Sequence, residues 1–121
     1  MSVKIKICCI HDINEANTAI KAGAHAIGLV GKMPSGPGPI SDKRIKEIAE
    51  AVPADIGTFL LTCNTSVGNI IKHHQKTRTN TIQIVDKLKE GTYRQLKEAL
   101  PQIQIVQVIH IVNGESVEEA I

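Results

Sequence analysis

The chain has 121 residues, 42% of them hydrophobic and 21% charged, with a formal charge of +2. That length predicts one domain, residues 1–121, able to bury a sizeable core. The basic residues are spread rather than clustered, and one Tyr, one Phe and no Trp offer no base-stacking platform, so nucleic acid is not an expected partner.

A membrane is not expected either, because no apolar run reaches the roughly 18 residues of a span and the N-terminus lacks a signal-peptide core. The three cysteines, Cys8, Cys9 and Cys63, form no disulfide framework, which predicts a reducing, cytoplasmic setting.

Apolar runs alternate with amphipathic stretches along the chain. A first strand is predicted over residues 3–10, then a helix from about 14 to 22, with Gly23 as its stop. A second strand, 24–30, runs into the Gly/Pro-rich segment 31–39. Ser41 is placed to cap a second helix, with Asp42 in its first turn. That helix carries Ile45, Ile48, Ala49 and Val52 at helical spacing and ends at Pro53.

A third strand follows over 56–61, and Thr65 or Ser66 can cap a helix carrying Val67, Ile70 and Ile71. Strand four is predicted at 81–85, a helix at 91–100 before Pro101, strand five at 103–112, and the start of a fifth helix at 115–121. Ile/Val-rich strands with little polar alternation are buried on both faces. Five βα units in strict alternation give an α/β fold with a parallel sheet and right-handed crossovers.

Two architectures accommodate five units: a complete flavodoxin-like sheet serving as a small-ligand-binding domain, or about five of the eight units of a (β/α)₈ barrel. Lys4, Lys6 and Cys8 share one strand face, and Gln83 and Gln107 lie mid-strand. Polar groups inside strands suit a barrel interior, where they can meet one another, better than a sheet covered by apolar helices. An incomplete barrel leaves strands one and five as open edges, through which self-association or pairing with another chain is expected.

Cys8 falls at the carboxyl end of strand one, where barrels place reactive groups, and a thiol there can serve as nucleophile or general base; it can equally be a small buried apolar residue. Cys9 is expected to point the opposite way, towards the helix layer. No metal site is predicted, since adjacent strand cysteines diverge and His73–His74 lacks the i, i+4 spacing that aligns two ligands; His74 reads as a solvated helix residue. The 34–41 segment, with Gly36 and Gly38, precedes a helix N-terminus and suits either an anion or a plain rigid loop. Asp12, Asp86 and His110 lie where acid/base groups would face the barrel mouth, although Asp12 also fits an N-cap.

Lys6-Ile-Cys-Cys-Ile10 with Asp12-Ile-Asn-Glu-Ala16, and Ala22-Gly-Ala-His-Ala-Ile-Gly-Leu-Val30, resemble the first two motifs of phosphoribosylanthranilate isomerase, a TIM-barrel enzyme of tryptophan biosynthesis. Ile40-Ser41 is similar to that family's second helix start, and Asn80-Thr-Ile-Gln-Ile84 to its fourth strand. The resemblance implies an Amadori rearrangement of an aminoaldose to an aminoketose, with no cofactor, a phosphorylated sugar as substrate and Cys8 as general base. It further implies substrate-binding roles for Gln83, Asp86, Gly36 and Gly38.

Several positions depart from the family pattern. Cys9 stands where the family has Gly, which is tolerable if the backbone there is ordinary. Pro34-Ser-Gly-Pro-Gly38 replaces Ser-Pro-Arg, a form shared by one branch of the family, and Asp86 follows Val85 where His-Gly is usual. The family's general acid on strand six and the phosphate loops after strands seven and eight have no counterpart here, so the chain alone is expected to be inactive.

Overall fold

The computed structural model describes residues 4–31 and 39–108. Its elements follow in the order β1 (Lys6–Ile7), α1 (Ile13–Lys21), β2 (Ala26–Val30), α2 (Asp42–Ala51), β3 (Gly57–Thr62), α3 (Val67–Thr77), β4 (Thr81–Ile84), α4 (Tyr93–Ala99) and β5 (Gln104–Gln107). The strands form one parallel sheet in the order β1-β2-β3-β4-β5. A doubly wound sheet reverses its strand order at a switch point; this one advances one strand at a time. That is barrel winding, and it removes the flavodoxin-like alternative. Among the described residues the sheet is open.

Local signals place the helices. Asp12 caps α1, its carboxylate accepting from the Glu15 amide at 2.7 Å, and Gly23 follows the helix with φ +106. Ser41 caps α2 by accepting from the Arg44 amide at 3.2 Å. Ser66 is the N-cap residue of α3, without a side-chain cap bond. Thr92 and Gln95 form a reciprocal capping box that starts α4 two residues later than the expected Gly91. The predicted fifth helix, His110 and the end of strand five lie outside the described residues.

Helices cover one face of the sheet. Ile27, Leu29 and Leu60 pack with Ala16, Ala19, Ile45 and Ile48, and Ile82 and Ile84 pack with Val67, Ile70 and Leu96. Each such fully buried aliphatic side chain stabilises the fold by roughly 1.5–3 kcal/mol relative to exposure. The other face is concave and carries Lys6, Gly28, Phe59, Gln83 and Val106 by strand register. The edges of the sheet are open, with Ile7 exposed on the helix side of β1 and Val106 exposed on the concave side of β5.

Two side chains sit elsewhere than expected. Gln107 pairs with Ile84, which puts it on the helix side; its amide donates to the Ile84 carbonyl and its oxygen accepts from the Tyr93 hydroxyl. His74 is buried rather than solvated, its Nε2 lying 2.6 Å from the Thr79 carbonyl. That bond satisfies a carbonyl just beyond the helix, where Arg78 turns the chain with φ +54.

Candidate active site at the carboxyl ends of the strands

Strand one is shorter than its apolar pattern predicts, ending at Ile7. The cause is Cys9, whose φ of +59 takes the chain into the left-handed region. The backbone there is therefore not ordinary. A residue with a Cβ costs roughly 1–2 kcal/mol in this conformation, whereas glycine adopts it freely.

Cys8, just before this turn, is exposed and stands over Gly28 of β2. A Cβ added at Gly28 would come within 2.8 Å of the Cys8 Sγ and 3.1 Å of its Cα. Gly28 thus provides the space the thiol occupies, which explains a glycine inside an otherwise branched strand. The left-handed turn also defeats simple alternation. Burial first, then the charge and hydrogen bond of Cys8, push the Cys9 thiol above its ordinary value.

Below Cys8 on the concave face, the Lys6 ammonium lies 4.8 Å from the centroid of the Phe59 ring and donates to the Gln83 side-chain oxygen. Two polar residues from strands far apart in sequence thus satisfy each other inside the curve of the sheet. Asp86 is exposed immediately after β4, and its backbone carbonyl accepts from Gln107. Asp12 is committed to its capping role, and His11 to Glu15 at 3.1 Å. Gly36 and Gly38 lie outside the described residues.

A side-chain network absent from the sequence reading joins the helix layer near the same end of the sheet. His73 on α3 places Nε2 2.8 Å from the Asp42 carboxylate and Nδ1 3.2 Å from the Thr62 hydroxyl. The Asn64 amide nitrogens donate to that hydroxyl at 3.2 and 3.0 Å. Gly31 makes room for the ring, since a Cβ there would come within 2.5 Å of it. One tautomer satisfies every group: Nε2–H donates to Asp42, and Nδ1 accepts from Thr62. No signal in the sequence joins these residues, because 31 positions separate Asp42 from His73.

A separate cavity of about 510 Å³, lined by Lys4, His25, Asp55 and Gln102 among others, opens at the amino-terminal ends of the strands. Barrel chemistry is carried at the opposite end, so Cys8 and not this cavity marks the candidate site. Among the described residues there is no group of three or more His, Cys, Asp or Glu that could hold a metal ion, and no helix long and apolar enough to cross a membrane.

Five consecutive parallel strands joined by four helices, with the helices outside and polar groups within, define a segment of a (β/α) barrel. The chain is similar to phosphoribosylanthranilate isomerases along nearly its whole length. The Nostoc punctiforme N-(5'-phosphoribosyl)anthranilate isomerase is 27% identical over 110 residues, covering 90% of this chain and 51% of that protein. The Haloarcula marismortui enzyme of the same name is 24% identical over 107 residues, with 88% and 50% covered. The Stutzerimonas stutzeri one is 44% identical over 66 residues, covering 53% of this chain and 30% of its own.

Among solved structures, the Thermotoga maritima phosphoribosyl anthranilate isomerase superposes with a TM-score of 0.80 at 21% identity, covering 98% of this chain and 56% of that one. The Pyrococcus furiosus enzyme superposes equally well, with a TM-score of 0.80 at 20% identity and coverage of 98% and 60%. No family model matches the chain. The chain spans about half the length of the curated relatives it matches.

Proposed function

We propose that residues 1–121 form a single partial barrel domain, the first five βα units of a phosphoribosylanthranilate isomerase barrel, and that Cys8 is its general base. The observation that carries this reading is the Cys8 thiol, exposed at the carboxyl end of β1 over the space left by Gly28. The substrate would be N-(5'-phosphoribosyl)anthranilate, and the setting cytoplasmic. One solved relative is a complex with reduced 1-(o-carboxyphenylamino)-1-deoxyribulose 5-phosphate, which supports a phosphorylated sugar as the ligand.

In the proposed reaction, protonation of the ring oxygen by an acid outside these five units opens the ribose ring to a Schiff base. The Cys8 thiolate then removes the C2 proton, and the electron pair moves into the carbon–nitrogen system to give the enol form of the aminoketose. The substrate's own nitrogen is the electron sink, so no cofactor enters. Gln83, held by Lys6, forms part of the polar floor beneath the reacting carbons. Asp86, Gly36 and Gly38 are proposed to contact substrate.

The test joins this chain to the last three βα units of a relative. Turnover of N-(5'-phosphoribosyl)anthranilate is expected from the joined protein and not from residues 1–121 alone. Cys8→Ser in the joined protein should lower kcat by about 10²–10⁴, the usual contribution of a general base. An unchanged rate in that variant ends the Cys8 assignment, and turnover by the 121-residue chain ends the partial-barrel reading.

A second reading rests on the open edges. Exposed Ile5, Ile7 and Val106 on the terminal strands favour a half barrel that pairs with a second copy or another chain. A stable dimer of the 121-residue chain in sedimentation would support it.

A further inference from the structure

The concave face of the sheet is unbalanced in charge. It carries the Lys6 ammonium, and Lys4, two residues earlier, lines the same cavity at the amino-terminal ends of the strands. None of the five strands contains an Asp or Glu. Asp55 also lines that cavity, but from the exposed turn before β3. No ion pair of Lys6 occurs among the described residues.

Lys6 donates to the Gln83 side-chain oxygen and lies 4.8 Å from the centroid of the Phe59 ring. An amide and an aromatic face offer a dipole and a quadrupole, and neither carries net charge. That suffices in this chain, because Lys6 is exposed and water screens it. Closing the face takes the same ammonium out of water, at a cost that only a paired, hydrogen-bonded counter-charge offsets. The five strands supply none, so the counter-charge arrives with whatever completes the face.

We infer that the partner of the concave face is a run of parallel βα units carrying an aspartate or glutamate that points inward at the level of Lys6. This carboxylate and the Lys6 ammonium form a buried ion pair across the closure. The inference rests on the partial-barrel reading and deepens it, by naming the chemistry of the segment that covers the free edges of β1 and β5. The curated relatives are about twice as long as this chain, which leaves room for such units.

Lys6 lies two residues before Cys8, roughly 7 Å deeper along the strand. The carboxylate is therefore distinct from an acid working at the level of the thiol. A second copy of this chain fits the face poorly, because it brings another Lys6 and no strand carboxylate.

Urea unfolding of the joined protein tests the pair. Lys6→Met should lower the midpoint by about 1–2 M, because it leaves the buried carboxylate without its partner. Each inward Asp and Glu of the added strands is then changed to Asn or Gln in the Lys6→Met background. One of these changes should restore most of the lost midpoint, and the same change beside an intact Lys6 should lower it. If Lys6→Met alone fails to fold, that double variant should still fold.

A Lys6→Met midpoint within about 0.3 M of the parent overturns the inference, as does a loss that no double variant recovers. In both cases a joined parent that unfolds in one cooperative transition leaves the partial-barrel reading standing. A joined parent with no cooperative transition ends that reading and the inference with it. A 121-residue chain that sediments as a stable dimer, unchanged by Lys6→Met, puts a second copy on the face and overturns the inference too.

Discussion

The two faces of the sheet are built on different principles. On the helix side, Ile27, Leu29, Leu60, Ile82 and Ile84 are fully buried, and each is covered by a helix adjacent in sequence to its strand. On the concave side, Lys6, Phe59 and Gln83 hold one another across the curve, while Cys8 stays exposed and Val106 is open on the edge strand. The outer face is completed by short-range crossovers. The inner face has only its own polar contacts, and it is the face that carries the candidate chemistry.

Substitutions on the two faces therefore separate stability from activity. The largest effect is expected within the joined barrel, where Cys8→Ser should remove about 10²–10⁴ of kcat while moving the unfolding free energy by less than about 0.5 kcal/mol. On the outer face the order reverses. Leu60→Ala should cost about 2–5 kcal/mol by leaving a cavity between two helices, read as a fall in the urea midpoint with unchanged slope. Val106→Ala, on the exposed inner edge, should cost less than about 0.5 kcal/mol in the same measurement. Equal losses at positions 60 and 106 would break the comparison.

The outer face also contains a polar exception that sharpens it. Thr62 is fully buried, and its hydroxyl binds His73 while accepting from Asn64. Thr62→Val keeps the shape and adds apolar surface, yet removes the hydroxyl shared by His73 Nδ1 and the Asn64 amides, leaving only the 3.4 Å contact between the Asn64 side-chain nitrogen and that ring nitrogen. A loss of about 1–3 kcal/mol is expected from denaturant unfolding, the cost of unsatisfied buried polar groups. A stabilised variant would show that the network is incidental to the packing of α2 and α3.

Much of the outer face was legible in the sequence because its causes are local. Gly23, Ser41 and Pro53 mark helix ends by backbone chemistry, and the Ile/Val runs mark buried strands. That polar strand residues such as Lys6 and Gln83 meet in an interior was the expectation for a barrel; which of them pair was not. Three features did not follow. Gln107 was read as interior because the register of strand five depends on its neighbour. His74 was read as solvated because its carbonyl partner lies beyond the helix. The left-handed backbone at Cys9 did not follow because strand alternation presumes an extended chain, and nothing in Lys6-Ile-Cys-Cys-Ile10 announces it except the comparison with glycine. The Asp42–His73–Thr62 network needed the folded chain, since its members come from three different elements.

A further small effect is expected just beyond β1, at Cys9. Cys9→Gly relieves a left-handed side-chain penalty of roughly 1–2 kcal/mol but adds backbone freedom to the unfolded chain worth about 0.4–1 kcal/mol. A net gain of about 1 kcal/mol or less is expected at pH 7. The sign with pH follows from the raised Cys9 thiol. Between the ordinary thiol value and the higher folded one, the folded state binds more protons than the unfolded state. That contribution is fully present below the ordinary value and is lost as pH rises through the folded one. The advantage of Cys9→Gly over the parent, followed by thermal unfolding, should therefore widen in alkali. A constant difference would mean that the Cys9 thiol does not feel Cys8 or its burial, and a parent more stable than Cys9→Gly throughout would mean that the left-handed turn at Cys9 costs less than the glycine it replaces.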